Sequence, residues 1–379
     1  MPLKFDALPP LSLYIHIPWC VRKCPYCDFN SHEGSFDEET YVSALIRDLE
    51  GFVPETWGRR ISSVFFGGGT PSLMSPQSIE RILDQARALA RIDPLAEVTM
   101  EANPGTVEQK RFGDFSGAGI NRLSLGIQSF SDRHLALLGR IHDGRQSILA
   151  VEAALKYFGN FNLDLMYALP DQTIDEVEAD FSMAARFDPP HVSAYHLTIE
   201  PNTFFHKHPP EIPGEDESFE MQCIVEERLS SYRHYETSAF SREGRQCRHN
   251  LNYWEYGDYI GIGAGAHSKI TRPEGITRSM RCKNPKDYIR TALSGNPVQE
   301  RHEVSVDDIP FEFMMNALRL NEGFSLTLFE ERTGLSRDAV SARLDEAQRR
   351  GFVSHDQSKI VPTLQGRRFL NDLLQQFLP

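Results

Sequence analysis

The chain has 379 residues, 40% of them hydrophobic and 25% charged, with a formal charge of −13; this is the composition of an ordinary globular protein, long enough for one large domain and a smaller appendage. Such acidity argues against non-specific nucleic-acid or anionic-membrane binding, because both need clustered cations to displace counterions. No run approaches the roughly 20 apolar residues of a membrane-spanning helix. The stretch before Cys20, with its early Lys4 and Asp6, lacks the apolar core of a secretory leader, so a cytoplasmic location is expected.

In chain order, six β-rich runs alternate with segments of helical period. The strand candidates are LSLYIHI from Leu11, SSVFFGG from Ser62, EVTMEAN from Glu97, RLSLGIQ from Arg122, FNLDLMYAL from Phe161 and HVSAYHLTI from His191. Residues 36–51, 76–90, 106–117, 145–158 and 174–187 carry apolar residues at three- and four-residue spacing, the signature of amphipathic helices. Ser75 before Pro76 reads as an N-cap followed by proline at the first helical position, and Ser35 ahead of Glu38 has capping-box spacing. Six βα units predict an α/β fold in the form of an open, partial (β/α)6 barrel. In such a fold the chemistry gathers at the C-terminal ends of the strands, where Gly67 to Thr70, Glu101 to Pro104, Gln128 and Asp164 fall.

The Pro- and acid-rich HPPEIPGEDE at 208–217 reads as a connector before a helix over 218–232. The tail offers MMNALRL and LTLFEERTGL as helical runs, a helix over 336–350 and a hairpin in GFVSHDQSKIVPT, the order of a small, mainly helical, winged-helix-like domain. Residues 300–379 hold ten Lys and Arg against thirteen Asp and Glu, so this tail lacks the footprint of a DNA reader. The expected division is 1–205 for the barrel core, 206–300 for an extension and 301–379 for the C-terminal domain.

Of six cysteines, Cys20, Cys24 and Cys27 fall in one loop after the first strand, stiffened by Pro18 and Pro25, while Cys223, Cys247 and Cys282 are scattered. Iron–sulfur clusters are held by Cys thiolates, normally four, so three local ligands leave one iron able to take an outside ligand. Zinc is the alternative, but structural zinc is four-coordinate and no paired Cys or His motif lies downstream. Cys247 with His249 is the candidate for a missing ligand. The run Gly261 to His267 formally fits a dinucleotide fingerprint but lacks its βαβ context, and is read as a backbone-approach loop lining the same cavity. His16 shares the face of Tyr14 on an alternating strand, either orienting the cluster or packing.

HIPWCVRKCPYCDF, with GGGTPSLM, EANPG, GIQSF, DLMYALPDQT, AYHLTIEP and HNLNYW, resembles the radical SAM superfamily over essentially the whole chain, and within it the coproporphyrinogen III oxidase-like branch. The resemblance implies a barrel of the radical SAM type and a [4Fe–4S] cluster on Cys20, Cys24 and Cys27. It implies S-adenosylmethionine (SAM) chelated to the open iron, and an electron donor whose electron can cleave SAM to a 5′-deoxyadenosyl radical. It further implies SAM contacts from Tyr14, Tyr26, Gly68, Gly69, Thr70, Glu101, Gln128, Arg140 and Asp164. For the tyrosines the plain alternative is aromatic packing, and for Arg140 a solvated rim charge.

Two departures separate this chain from the branch's oxidative decarboxylases. These carry a further cysteine two positions after the third ligand, where this chain has Phe29, and a longer segment before the cluster, where it has nineteen residues. HNLNYW, from His249 to Trp254, matches instead an element of the branch's haem chaperones. The resemblance then implies haem as ligand, haem-accepting proteins as partners and His249 as an axial ligand, with Cys247 competing. The alternatives are a short core-packed helix for this element, a coproporphyrinogen oxidase, and a zinc-stabilised binding protein. Whether SAM cleavage belongs to the function is left open by the residues.

Overall fold

The computed structural model describes residues 3–355 and 358–379. The six expected strands form as β1 (Leu11–Ile17), β2 (Ile61–Gly68), β3 (Ile92–Ala102), β4 (Arg122–Gln128), β5 (Phe161–Tyr167) and β6 (His191–His196). They lie side by side in chain order, all parallel. Strands stacked in sequence by right-handed crossovers put every crossover helix on one face. The other face is free to curve into a barrel interior with its loops at the strands' C-terminal ends.

β1 and β6 do not pair, so the barrel stays open. β6 is extended by an antiparallel pair, β7 (Arg233–Glu236) and β8 (Ala239–Ser241). On the far side β1 pairs in parallel with β9 (Asp258–Ile262), which was not expected as a strand. The antiparallel β10 (His267–Arg272), β11 (Gly275–Arg281) and β12 (Val298–Glu303) follow. The result is one twelve-stranded mixed sheet ordered β12-β11-β10-β9-β1-β2-β3-β4-β5-β6-β8-β7.

The crossover helices are α1 (Glu38–Thr56), α2 (Pro76–Leu89), α3 (Thr106–Gly117), α4 (Gly144–Tyr157) and α5 (Ile174–Arg186). Ser75 caps α2, accepting from the Ser78 amide with Pro76 in the first turn, as read. The Ser35–Glu38 box does not form. Asp37 caps α1 by accepting from the Thr40 amide, and Glu38 reaches across to the Ser75 amide and hydroxyl at 2.7 and 2.6 Å, tying α1 to the start of α2. Reciprocal capping boxes stand instead at Asp143 and Thr173. The helix expected at 218–232 runs Glu215–Arg228, because the acids at 215–217 suit the positive end of a helix dipole and fill its first turn.

The C-terminal region follows the expected order: helices Ile309–Ala317, Leu326–Thr333 and Asp338–Arg349, then strands Val353–His355 and Lys359–Pro362, joined by Phe324–Ser325 into a three-stranded sheet. Positions 356 and 357 of the expected hairpin lie outside the described residues. This region buries its own core around Phe313, Phe329, Leu344 and Ile360. Tyr256 and Ile276 join that core from the barrel side, and Arg278 pairs with Glu312 at 2.8 Å.

A buried charge network anchors β9 beside β1. Asp258, fully buried, receives Lys269 at 3.0 Å and Arg59 at 2.6 Å, together with the Thr271 amide and hydroxyl. Burial works against this carboxylate, but Lys269 and Arg59 prevail and hold it below its ordinary range. Removing one partner of such a pair leaves an uncompensated charge in the interior. Asp258→Ala is therefore expected to lower the unfolding free energy by about 3–5 kcal/mol in urea denaturation at neutral pH. The deficit should narrow as the pH falls through the acid range and the wild-type carboxylate protonates; adding Lys269→Met should recover part of it. A loss below 1 kcal/mol would show the network to be of no more weight than a surface pair.

Candidate functional site

The cysteine loop is fixed from three sides. Beneath it, the glycine run after β2 donates from the Gly69 amide to the Ile17 carbonyl and from the Thr70 amide to the Trp19 carbonyl, both at 2.8 Å. Gly68 has a φ of +115°, and a Cβ there would sit 2.4 Å from the His16 ring; a Cβ on Gly69 would sit 2.5 Å from the Trp19 carbonyl. Only glycine permits both contacts. On the second side, the Phe205 amide donates to the Pro25 carbonyl at 3.0 Å, joining the loop to the segment after β6. On the third, Asn30 donates to the carbonyls of Ala264 and Lys283, each at 2.9 Å, joining it to the turn after β9 and the segment after β11.

His16 supports this from below. One ring nitrogen lies 3.0 Å from the Tyr14 hydroxyl and the other 2.9 Å from the Asn30 carbonyl. Burial pushes the imidazole down to about 4, keeping it neutral. It is a prop for the loop backbone.

A cavity of about 300 Å³ opens over the strand ends. It is lined by Cys20, Cys24, Cys27, Tyr26, Gly68, Gly69, Thr70, Glu101, Gln128, Arg140 and Asp164, so nearly every expected cluster and SAM residue converges there. Each thiol has a polar neighbour: Thr70 Oγ1 donates to Cys20 at 3.6 Å, Arg140 to Cys24 at 3.6 Å, and Ser31 Oγ lies 3.9 Å from Cys27. Burial pushes the Cys20 and Cys27 thiols up, so taking up iron there would release protons. Three sulfur donors on one cavity wall fit an iron–sulfur cluster with an open corner. Among the described residues no three His, Cys, Asp or Glu side chains are gathered as a single-ion site.

Charge in the cavity is divided. Arg140 is anchored by Asn103 Oδ1 at 2.5 Å and the Gly126 carbonyl at 2.8 Å, so it is a half-buried, fixed clamp and not a free rim charge. Opposite, Glu101 accepts from the Gly68 amide at 3.0 Å, and Asp164 from Ser124 and Asn162 at 2.9 and 2.8 Å. Burial, then Asp164, pushes Glu101 up to about 8, and burial raises Asp164 as well. Acids held ready to ionise beside a fixed guanidinium suit a ligand carrying both an ammonium and a carboxylate. Gln128 ends β4 at a φ of +65°, a strained conformation that turns the chain at the cavity floor.

A second cavity, of about 890 Å³, adjoins the first; Cys27, Phe29, Gly68 and Glu101 line both. Tyr14 faces this larger cavity. The Gly261 to His267 run also belongs here, with Gly265, Ala266 and His267 in the wall, so it lines the neighbour of the cysteine cavity and not that cavity itself.

His249 and Cys247 line neither. The His249 ring is buried against Phe65, with Ser63 Oγ 3.0 Å from one nitrogen and the Tyr253 hydroxyl 3.1 Å from the other. Burial and then Arg122 push it down to about 3. Axial ligation there would require one of these bonds to break. Cys247 is equally enclosed beside Glu97, its thiol pushed up to about 12 by burial, and neither residue supplies a fourth ligand to the loop. Of the same short helix, Arg248–Trp254, Tyr253 and Trp254 do reach the second cavity. Sequence reasoning placed Asn103 among the strand-end residues but gave it no role; it bridges Thr70 and Arg140. Its signal was its place two residues after Glu101 at a strand end.

Residues 14–184 match the radical SAM superfamily and residues 304–369 the HemN C-terminal domain. The chain is 46% identical over 98% of its length to "Heme chaperone HemW" of Escherichia coli, covering 99% of that protein, and 34% identical over 97% to that of Bacillus subtilis, again covering 99%. The solved coproporphyrinogen III oxidase HemN of Escherichia coli superposes with a TM-score of 0.82 over 98% of this chain and 90% of that one, at 23% identity, which establishes a shared fold.

Two substitutions test this geometry. Gly68→Ala should destabilise the chain by about 1–3 kcal/mol in equilibrium unfolding and lower the iron retained after anaerobic reconstitution; unchanged values on both counts would refute the close-approach argument. Glu101 is protonated in the fold well above the ordinary carboxylate value of 4.5, so its stabilising contribution is complete below that value and is lost as pH rises through about 8. Cluster-free Glu101→Gln should accordingly gain on the wild type as pH is raised across that window, and a pH-independent difference would count against a protonated Glu101.

Proposed function

The chain belongs to the HemW family of the radical SAM superfamily, and from that premise we propose that it is a haem chaperone, binding haem and delivering it to haem-accepting proteins. In this reading Cys20, Cys24 and Cys27 would hold a [4Fe–4S] cluster with SAM bound beside it, and a separate electron donor would serve the cluster. The observation that carries the reading is likeness to haem chaperones along the whole chain, at 46% identity.

When bound, the cluster and SAM supply one-electron chemistry that no side chain can provide. The protein's own part is to bind and orient. Gly68, Gly69 and Thr70 offer a backbone edge that a methionine moiety can approach closely. Glu101 can give up its proton when an ammonium group arrives, since a neighbouring cation stabilises the carboxylate. Arg140 can hold a carboxylate, with its orientation already set by Asn103 and the Gly126 carbonyl. Tyr26, Gln128 and Asp164 complete the wall.

Phe29 favours transport over decarboxylation. At the position where the oxidative decarboxylases carry a further cysteine, this side chain is 59% exposed and stands in the walls of both cavities. It provides an aromatic surface in place of a thiol.

The anaerobically reconstituted chain is expected to bind haem stoichiometrically, to hand it to an apo-haem protein, and to leave coproporphyrinogen III unchanged in the presence of SAM and a strong reductant. Replacing Cys20, Cys24 and Cys27 together with alanine should abolish bound iron and acid-labile sulfide. Porphyrinogen decarboxylation without haem binding would sink the proposal.

A further inference from the structure

We propose that haem sits in the larger cavity beside the cysteine loop, with His267 as axial ligand to its iron and Lys283 facing its propionate end. This rests on the haem-chaperone reading above and assigns its ligand a place in the molecule.

Size and lining separate the two cavities. The smaller, at about 300 Å³, is ringed by the thiols, the two acids and Arg140. The larger, at about 890 Å³, has Tyr253, Trp254 and Tyr259 in its wall and Phe29 at the boundary. Flat aromatic faces suit a planar apolar macrocycle, and the volume falls in the range of cofactor clefts.

Two imidazoles line this cavity, and only one is free to ligate. His16 has both nitrogens engaged, by Tyr14 and Asn30. His267, the first residue of β10, is exposed, and among the described residues its ring makes no hydrogen bond. Its backbone is held opposite Met280 in β11, so the free ring stands on a rigid strand. His249 differs on each point: it is buried, bonded at both nitrogens, and outside the cavity wall.

The cations of the cavity sort in the same way. Lys269 is consumed by Asp258 and Arg278 by Glu312, and the Lys23 ammonium is tied to the Phe29 and Ser31 carbonyls. Lys283 is exposed, and its ammonium has no partner among the described residues. A charge left free on the rim of a cleft with aromatic side chains in its wall fits the carboxylate edge of an otherwise apolar ring.

The test is a haem titration of the anaerobically reconstituted full chain, followed by absorbance and by low-temperature electron paramagnetic resonance of the ferric form. The wild type should show nitrogen-ligated haem. His267→Ala should weaken binding by on the order of tenfold and lose that signature, which added imidazole should restore, separating lost ligation from lost folding. His267→Met should move the spectrum towards thioether ligation. His249→Gln should keep the imidazole-ligated spectrum. Lys283→Glu should weaken haem by about threefold while leaving haem dimethyl ester unaffected. A His267→Ala protein with wild-type spectrum and affinity, or loss of the nitrogen signature in His249→Gln alone, overturns this assignment and leaves the chaperone reading standing. Failure of the wild type to bind haem at all overturns both.

Discussion

The separation between the glycine run and the cysteine loop governs the rest of the site. Two backbone hydrogen bonds, from Gly69 to Ile17 and from Thr70 to Trp19, draw the two turns into contact, leaving no space for a side chain between them. Once they touch, Thr70 reaches Cys20, and Asn103 reaches Thr70 and then Arg140, which reaches Cys24. The thiols are thereby placed by a chain of contacts that runs across four strand ends, and the loop that carries them need not be rigid by itself. His16 closes the arrangement from beneath, its ring lying where a larger residue at Gly68 would have to go.

Electrostatics in the smaller cavity follow from depth. Arg140 keeps its charge because its hydrogen bonds go to fixed acceptors. Glu101 and Asp164, half-buried together in the cavity wall, resist ionising until something cationic arrives. The site is therefore polarised before any ligand binds, with little reorganisation left to do on binding. The larger cavity is built differently, with aromatic walls, one free imidazole and its remaining polar groups mostly satisfied by one another.

Much of this was legible in the residues. Six β-rich runs separated by helical period lead directly to six parallel strands, and local spacing of three cysteines after the first leads to one cavity wall. What was hidden depended on partners distant in sequence. β9 is five residues long with a glycine inside it, carries little strand signal of its own, and is stabilised by lying in parallel beside β1. Alternation along β1 put Tyr14 and His16 on one face, as observed, but alternation does not say which of two adjoining cavities that face serves. The helix bearing His249 spans only Arg248–Trp254, too few turns for a periodic pattern to tell its buried side from its open one. Glu38 had the right spacing for a local cap and was claimed instead by Ser75, a tertiary partner that local rules do not include.

The incomplete ring has a consequence for traffic. A barrel closed by eight strands admits guests only through its ends. Here β1 and β6 never meet, and the larger cavity draws on both margins of the gap, with Pro201 and Asn202 following β6 and Gly265 to His267 following β9. The larger cavity therefore takes its wall from loops of both halves of the sheet. A planar ligand placed there, as proposed above, would share only Cys27, Phe29, Gly68 and Glu101 with the mouth where the thiols lie. Its entry and exit would then leave Cys20, Cys24 and Arg140, which line the smaller cavity alone, untouched.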